Sequence, residues 1–364
     1  MIVKWRAMEM RILFAALMGL FVAASASAQV QVNDIAFGLS NSNGLNSLEL
    51  VRGFPGGAAA PDPWSSPFIQ SMQFDNSGGW HHHQGNLLGL NFGTSGTGGS
   101  LSNHATDGSP SVQNLGNLTG GVTGLALSRL GGLSVSPDNS KIAATGFDSR
   151  KVLVWDYDAG LSVGQGVGAS VSGGRETPGV PLAAGFTQGT TWLDNQTVLA
   201  FQADGNILSV NAGSMAVNTV ATFAVPGGAS RFTSMEYNPT ISPFVYGMYS
   251  QFAGGVTTNL LYVFDPATWL QVPGSPFDFS QSMQTAREIA FDTRGNLFVG
   301  QFSSAIDFIP NAANPAVIVA NGSVDYYASP TFSSFNGLDV ALPEPGTLML
   351  LTAGLLGLRR RRKM

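Results

Sequence analysis

The chain of 364 residues contains no cysteine and only four histidines. Without a thiol it has no disulfide framework, no lipoprotein cysteine, no thiol catalysis and no cysteine zinc site. Charge is also scarce. Asp, Glu, Lys and Arg make up 11% of the residues, against about 25% in an average chain. A charge-rich disordered chain is therefore excluded, and 46 glycines and 19 prolines argue against a helical bundle or coiled coil. No G-x-S-x-G elbow, Walker loop or G-x-G-x-x-G turn stands in the strand-to-helix context that would give it meaning. What remains is an ordinary apolar fraction of 44% and 23 phenylalanines, material for a sizeable core built from strands.

The two ends read as addresses rather than fold. Lys4, Arg6 and Arg11 precede an apolar run from Ile12 to Ala24, and Ala26-Ser27-Ala28 stands before Gln29. A basic start, a short apolar run and an A-x-A site describe a secretory signal peptide over residues 1–28, cleaved before Gln29. The competing reading, an uncleaved anchor, needs a longer apolar run. At the other end Pro343-Glu344-Pro345-Gly346 leads into an apolar run from Thr347 to Leu358, then Arg359, Arg360, Arg361, Arg362 and Lys363. As a helix, twelve residues span about 18 Å, short of the roughly 30 Å hydrocarbon core, so this is a weak or transient span whose basic end stays cytoplasmic.

These three parts, in this order behind a signal peptide, resemble the PEP-CTERM sorting signal of Gram-negative exosortase substrates, here over residues 342–364. The resemblance implies passage through the export machinery, recognition by an exosortase-like membrane protease, cleavage near the motif and release to the cell surface or extracellular matrix. Exopolysaccharide or surface proteins are then the expected partners. Between the ends, residues 29–345 hold nine basic and 21 acidic side chains, a net charge of −12. Such a body is a poor match for nucleic acid or an anionic membrane.

The body, residues 29–341, repeats. A short apolar strand meets an Asp or Asn turn at positions 75, 138, 194, 238 and 292, spaced by 63, 56, 44 and 54 residues. In the clearest unit, Leu133 and Val135 precede Ser136-Pro137-Asp138-Asn139. Second and third strands then run from Ile142 to Thr145 and from Lys151 to Asp156. Strands at this period without helical periodicity predict an all-β fold, a β-propeller of about six or seven blades, followed by the short C-terminal apolar helix. Trp155-Asp156 at a strand end resembles WD- or YVTN-type blades, although the Gly-His partner of WD repeats is missing. Asp34–Leu39 and Leu45–Val51 lack an inner partner, and Asn336–Ala341 lacks followers, so the ends should join in one composite blade. The stretch 76–131 has room for a further blade.

Chemistry-bearing residues are few. Trp80-His81-His82-His83 is the only histidine cluster, and His81 and His83 would share a strand face as weak metal candidates. Glu236 and Glu288 fall on inner strands, where lactonase-type propellers hold a cation with Glu, Asp and Asn, and Asn238 is a third conceivable member. Asp138, Asp194 and Asp292 occupy equivalent turns in successive units, which fits turn formers better than catalysts. The reading favoured here is an exported, non-enzymatic propeller with a binding or structural role and no cofactor. A lactonase-like hydrolase with a channel-bound cation is the alternative.

Overall fold

The computed structural model describes residues 34–342, except 41–45, 52–58, 62–68, 75–85, 95–96, 106–111, 121–123, 160–168, 183–188, 228–229 and 329–333. Signal peptide, histidine cluster and the segment from Pro343 onward lie outside the described residues, and with them the expected C-terminal helix. Among the described residues there is no α-helix, only a 3-10 turn at Pro315–Val317, and no helix able to cross a membrane.

Six four-stranded antiparallel sheets account for the fold. The first joins β1 (Ile35–Ser40), β2 (Asn46–Val51) and β3 (Ala59–Pro61) to the last strand, β24 (Ser334–Val340), in the order β24-β1-β2-β3. The second holds β4 (Ile69–Phe74), β5 (Asn86–Thr94), β6 (Gly98–Ala105) and β7 (Val112–Asn117), so the stretch 76–131 completes this sheet rather than adding a seventh. The third runs β8 (Leu130–Val135), β9 (Lys141–Gly146), β10 (Lys151–Asp158), β11 (Ser170–Glu176). The fourth runs β12 (Gly189–Asp194), β13 (Thr197–Phe201), β14 (Asn206–Asn211), β15 (Val217–Thr222). The fifth comprises β16 (Ser230–Glu236), β17 (Val245–Ala253), β18 (Val256–Phe264), β19 (Phe277–Asp278). The sixth comprises β20 (Ala286–Phe291), β21 (Leu297–Gln301), β22 (Ala305–Ile309), β23 (Val324–Ala328). The first strand of each later sheet packs against that of the next, and β20 packs on β24, which packs on β4, so the ring is closed.

Burial follows position in the blade. The middle strands β9 and β21 are buried on both faces because each sheet is sandwiched between two others, so they read as continuous apolar runs. The outer strands β11, β15 and β23 are largely exposed and polar. The core is a series of interblade layers. Val152 and Val154 of the third sheet meet Trp192 and Val198 of the fourth. Leu199 and Phe201 meet Met235 and Tyr249 of the fifth. Tyr246 and Leu261 meet Ile289 and Leu297 of the sixth. Phe298 and Ile306 meet Ile35, Phe37, Leu338 and Val340 of the first, which completes the circle.

Closure is therefore by the two ends of the chain. β24 pairs with β1 from Ile35↔Val340 to Ser40↔Ser334, and the Ala341 amide donates to Asp34 O at 2.9 Å. The repeated turns also behave as their composition demands. Asp138 accepts from Ser140 N and from the Ser136 and Ser140 hydroxyls, and Asp194 accepts from Gln196 N at 2.7 Å. Asp292 accepts from Arg294 N and Asn296 N.

Candidate functional site in the central channel

The inner strands β8, β12, β16, β20 and β24 line a narrow central channel. Its lining includes Gly132, Gly189, Thr190 and Ser234 together with the acidic residues Glu236, Glu288 and Asp339. The free space among them is only about 20 Å³, room for about one water molecule. Small residues let the strands approach this closely. A Cβ on Gly189 would come within 2.8 Å of the Ser234 backbone, so nothing larger than glycine fits there without moving β16.

Hydrogen bonds pass from blade to blade around this channel. Ser134 Oγ and Thr190 Oγ1 lie 3.1 Å apart, and Thr190 also donates to Gly132 O. Ile289 N donates to Ser234 Oγ at 3.0 Å, and Leu338 N donates to the Glu288 carboxylate at 2.6 Å. Glu288 thus links the sixth sheet to the composite first one. Asp339 accepts from its neighbouring amide, Val340 N, at 2.8 Å.

The structure brings together two of the candidate residues, Glu236 and Glu288, and adds Asp339, which the sequence reading placed on an inner strand without assigning it to the channel. Burial raises the Glu236 carboxyl well above its ordinary range, and the nearby charges of Asp339 and Glu288 raise it further. Its surroundings thus favour the neutral form of this carboxyl. Asn238 turns elsewhere, accepting from Thr240 N and the Thr240 hydroxyl to build the turn before β17. Among the described residues no three His, Asp or Glu side chains converge to hold a metal ion. Of the channel carboxylates, Glu288 and Asp339 each accept a backbone amide, from Leu338 and Val340.

Arg287, at the register break that precedes Glu288 on β20, lies over the Phe232 ring at 4.7 Å and near the Phe302 ring at 5.5 Å. Burial lowers its pKa to about 10. His104, the one histidine among the described residues, is fully buried on β6 beside Ser102 Oγ at 3.0 Å. Burial pushes it down to about 4, so it stays neutral within the core.

No curated protein matches the sequence. In solved structures, one chain of a nidogen/laminin complex is similar over 85% of this chain and 99% of its own, with a TM-score of 0.57 and 11% identity. TolB from Acinetobacter baumannii gives a TM-score of 0.49 at 10% identity, over 88% of this chain and 70% of its own. A candidate 6-phosphogluconolactonase from Bacteroides fragilis gives 0.48 at 10% identity, over 86% and 98%. At these identities the likeness concerns the fold alone. Residues 341–363 match the PEP-CTERM protein-sorting motif. The chain is a β-propeller closed by its own two ends and carrying a PEP-CTERM sorting motif directly behind its last strand.

Proposed function

We propose that this is a binding propeller of the cell surface or extracellular matrix, delivered by its sorting motif, and that its central channel is a structural seam rather than a catalytic centre. The observation that carries this reading is the use of Glu288. Its carboxylate accepts the amide of Leu338 across the closing blade boundary, in a channel with room for about one water. A carboxylate committed to closing the ring serves stability, whereas a hydrolase needs its acids facing a space that admits substrate. The motif supports export with transient anchoring by the C-terminal segment.

Two measurements test this reading. Purified protein, assayed against a panel of sugar lactones with added Ca²⁺ and Mg²⁺, should show no hydrolysis that disappears in Glu236→Gln or Glu288→Gln. Fractionated cells should show the protein at the surface or in the medium, and its retention inside when residues 343–364 are deleted. Lactone turnover abolished by either channel substitution would transfer the assignment to a lactonase-like hydrolase. Unchanged surface delivery without residues 343–364 would remove the sorting argument.

A further inference from the structure

A second cavity, far larger than the channel, opens where the sixth sheet meets the end of the fifth. It encloses about 510 Å³ and is lined by Gln284, Gln301, Ser303, Asp307, Asp325 and Tyr327, among others. That size falls within the range of about 300–1,000 Å³ expected of small-ligand sites. Its construction follows from strand alternation. On β22, Ile306 packs with Phe298 and Leu338 towards the first sheet, so Asp307 and Ile309 face the fifth. Ile309 continues the apolar interblade layer. Asp307, two residues earlier, sits where that layer gives way to polar side chains.

Asp307 is 2% exposed, and its Oδ2 has no hydrogen-bond partner, which is a costly arrangement for a buried carboxyl oxygen. Ser303 Oγ, in the same lining, is also buried and without a partner. The surroundings hold these groups in place. Gln284 N donates to Gln301 Oε1 at 2.6 Å, which orients the Gln301 amide, and Gln301 hydrogen-bonds Asp307. Across the sheet, Asp307 is the register partner of Asp325, at a bulge between Ile306 and Asp307. Bulges of this kind re-aim side chains next to binding sites.

We propose that this cavity binds a neutral, hydroxyl-rich ligand, a sugar unit, with Asp307 and Ser303 as the principal contacts. The unsatisfied oxygens require a ligand that brings donors, and hydroxyl groups bring them together with acceptors. Among the described residues no Lys or Arg lines the cavity, so an anionic ligand would find no counter-charge from them. The space greatly exceeds what a bare ion occupies. Burial and the neighbouring Asp325 raise the Asp307 carboxyl to about 7, so near neutral pH it can meet a hydroxyl group as donor or as acceptor. This assignment rests on the binding reading above, since it supplies that reading with a site.

Isothermal titration of the purified propeller with glucose, galactose, mannose and N-acetylglucosamine, and with their β-linked trimers, tests it. At least one sugar should bind saturably. Asp307→Asn, which keeps the side-chain shape, should weaken that binding by about tenfold or more while the protein melts as a folded monomer. Ser303→Ala should also weaken it, by a smaller factor. The site assignment fails if none of the sugars binds, or if binding is indifferent to both substitutions. It fails equally if CaCl₂, with no sugar present, saturates the site in an Asp307-dependent manner. Sugar binding that ignores Asp307 would leave a binding propeller with its site elsewhere. Lactone turnover in the channel assay would instead overturn the binding reading itself.

Discussion

Removal of β24 is the sharpest test of the architecture. Truncation after Ser329 deletes the strand that pairs with β1 over six register positions. Those pairs contribute about 6 kcal/mol if each is worth roughly one net backbone hydrogen bond of about 1 kcal/mol. Leu338 and Val340, 1% and 2% exposed, contribute about 2 kcal/mol each through burial. The charge-assisted bond from Leu338 N to Glu288 adds about 2 kcal/mol. The total, about 12 kcal/mol, equals the whole stability of a typical domain, about 5–15 kcal/mol. The truncated protein should therefore aggregate or fail to accumulate, because β1 becomes an open edge and the apolar faces of two blades meet water. Truncation after Pro345 keeps all six sheets and should melt like the full chain. Glu288→Ala, which leaves the Leu338 amide buried without its acceptor, should lose about 1–3 kcal/mol, whereas Glu288→Gln keeps an acceptor and should lose less. Circular dichroism melts and size-exclusion chromatography on the four proteins separate the cases. A monomeric Ser329 truncation with an unchanged melt would refute closure by the composite blade.

Three further outcomes are expected. Intact-mass measurement of the secreted protein should show a chain beginning at Gln29 and lacking the segment from about Gly346 onward; a secreted species still carrying Arg359 to Lys363 contradicts that. Thermal melts with and without a chelator should coincide, because no group of described carboxylates or histidines converges on an ion; a large drop with chelator would count against the structural role of the channel acids. The carboxyls of Glu236 and Asp307 titrate above their ordinary range in the folded state, Asp307 at about 7 against 3.8. At Asp307 the fold therefore binds a proton that the unfolded chain has released, and the stability it confers is lost as pH rises from about 4 to about 7. Asp307→Asn should flatten this decline in melts taken across that interval, and a decline of unchanged slope would show that Asp307 is not the group responsible.

Much of the ring was legible because a propeller repeats its instructions. The Asp or Asn turns at 138, 194, 238 and 292 follow β8, β12, β16 and β20, and each forms because its side chain caps nearby backbone amides. The composite blade was legible from strands without neighbours at both ends. The candidate sites were less so. Glu236 and Glu288 could be placed on inner strands, but their sequence gives no hint that one carboxylate would be spent on Leu338 N. Asp307 and Asp325 lie 18 residues apart on strands that face each other only through a bulged register, and nothing in the linear pattern announces that pairing. His81 and His83 lie outside the described residues, so their metal-binding assignment rests on the sequence alone.

The position of the sorting motif adds a constraint that joins folding to export. The match begins at residue 341, and the Ala341 amide is still hydrogen-bonded to Asp34 at the chain's other end. Val340, one residue earlier, is buried in the layer between the sixth and first sheets. Only Leu342 separates the last described contact from Pro343, and the chain extends at most about 3.5 Å per residue. Chain connectivity alone therefore keeps the Pro-Glu-Pro motif within about 14 Å of Ala341, four residues at that spacing. An exosortase-like protease must then work beside a folded body or act before β24 docks. The second order would release a chain whose closing strand is unpaired, with the exposed edge and apolar faces described above. The energetics of closure favour docking first, with the completed propeller held close to the membrane until the tail is cut. A flexible Gly/Ser insertion between Leu342 and Pro343 should then leave folding unchanged and speed tail removal. Pulse-chase analysis of the two forms would read both effects, and slower processing of the insertion variant would count against docking before cleavage.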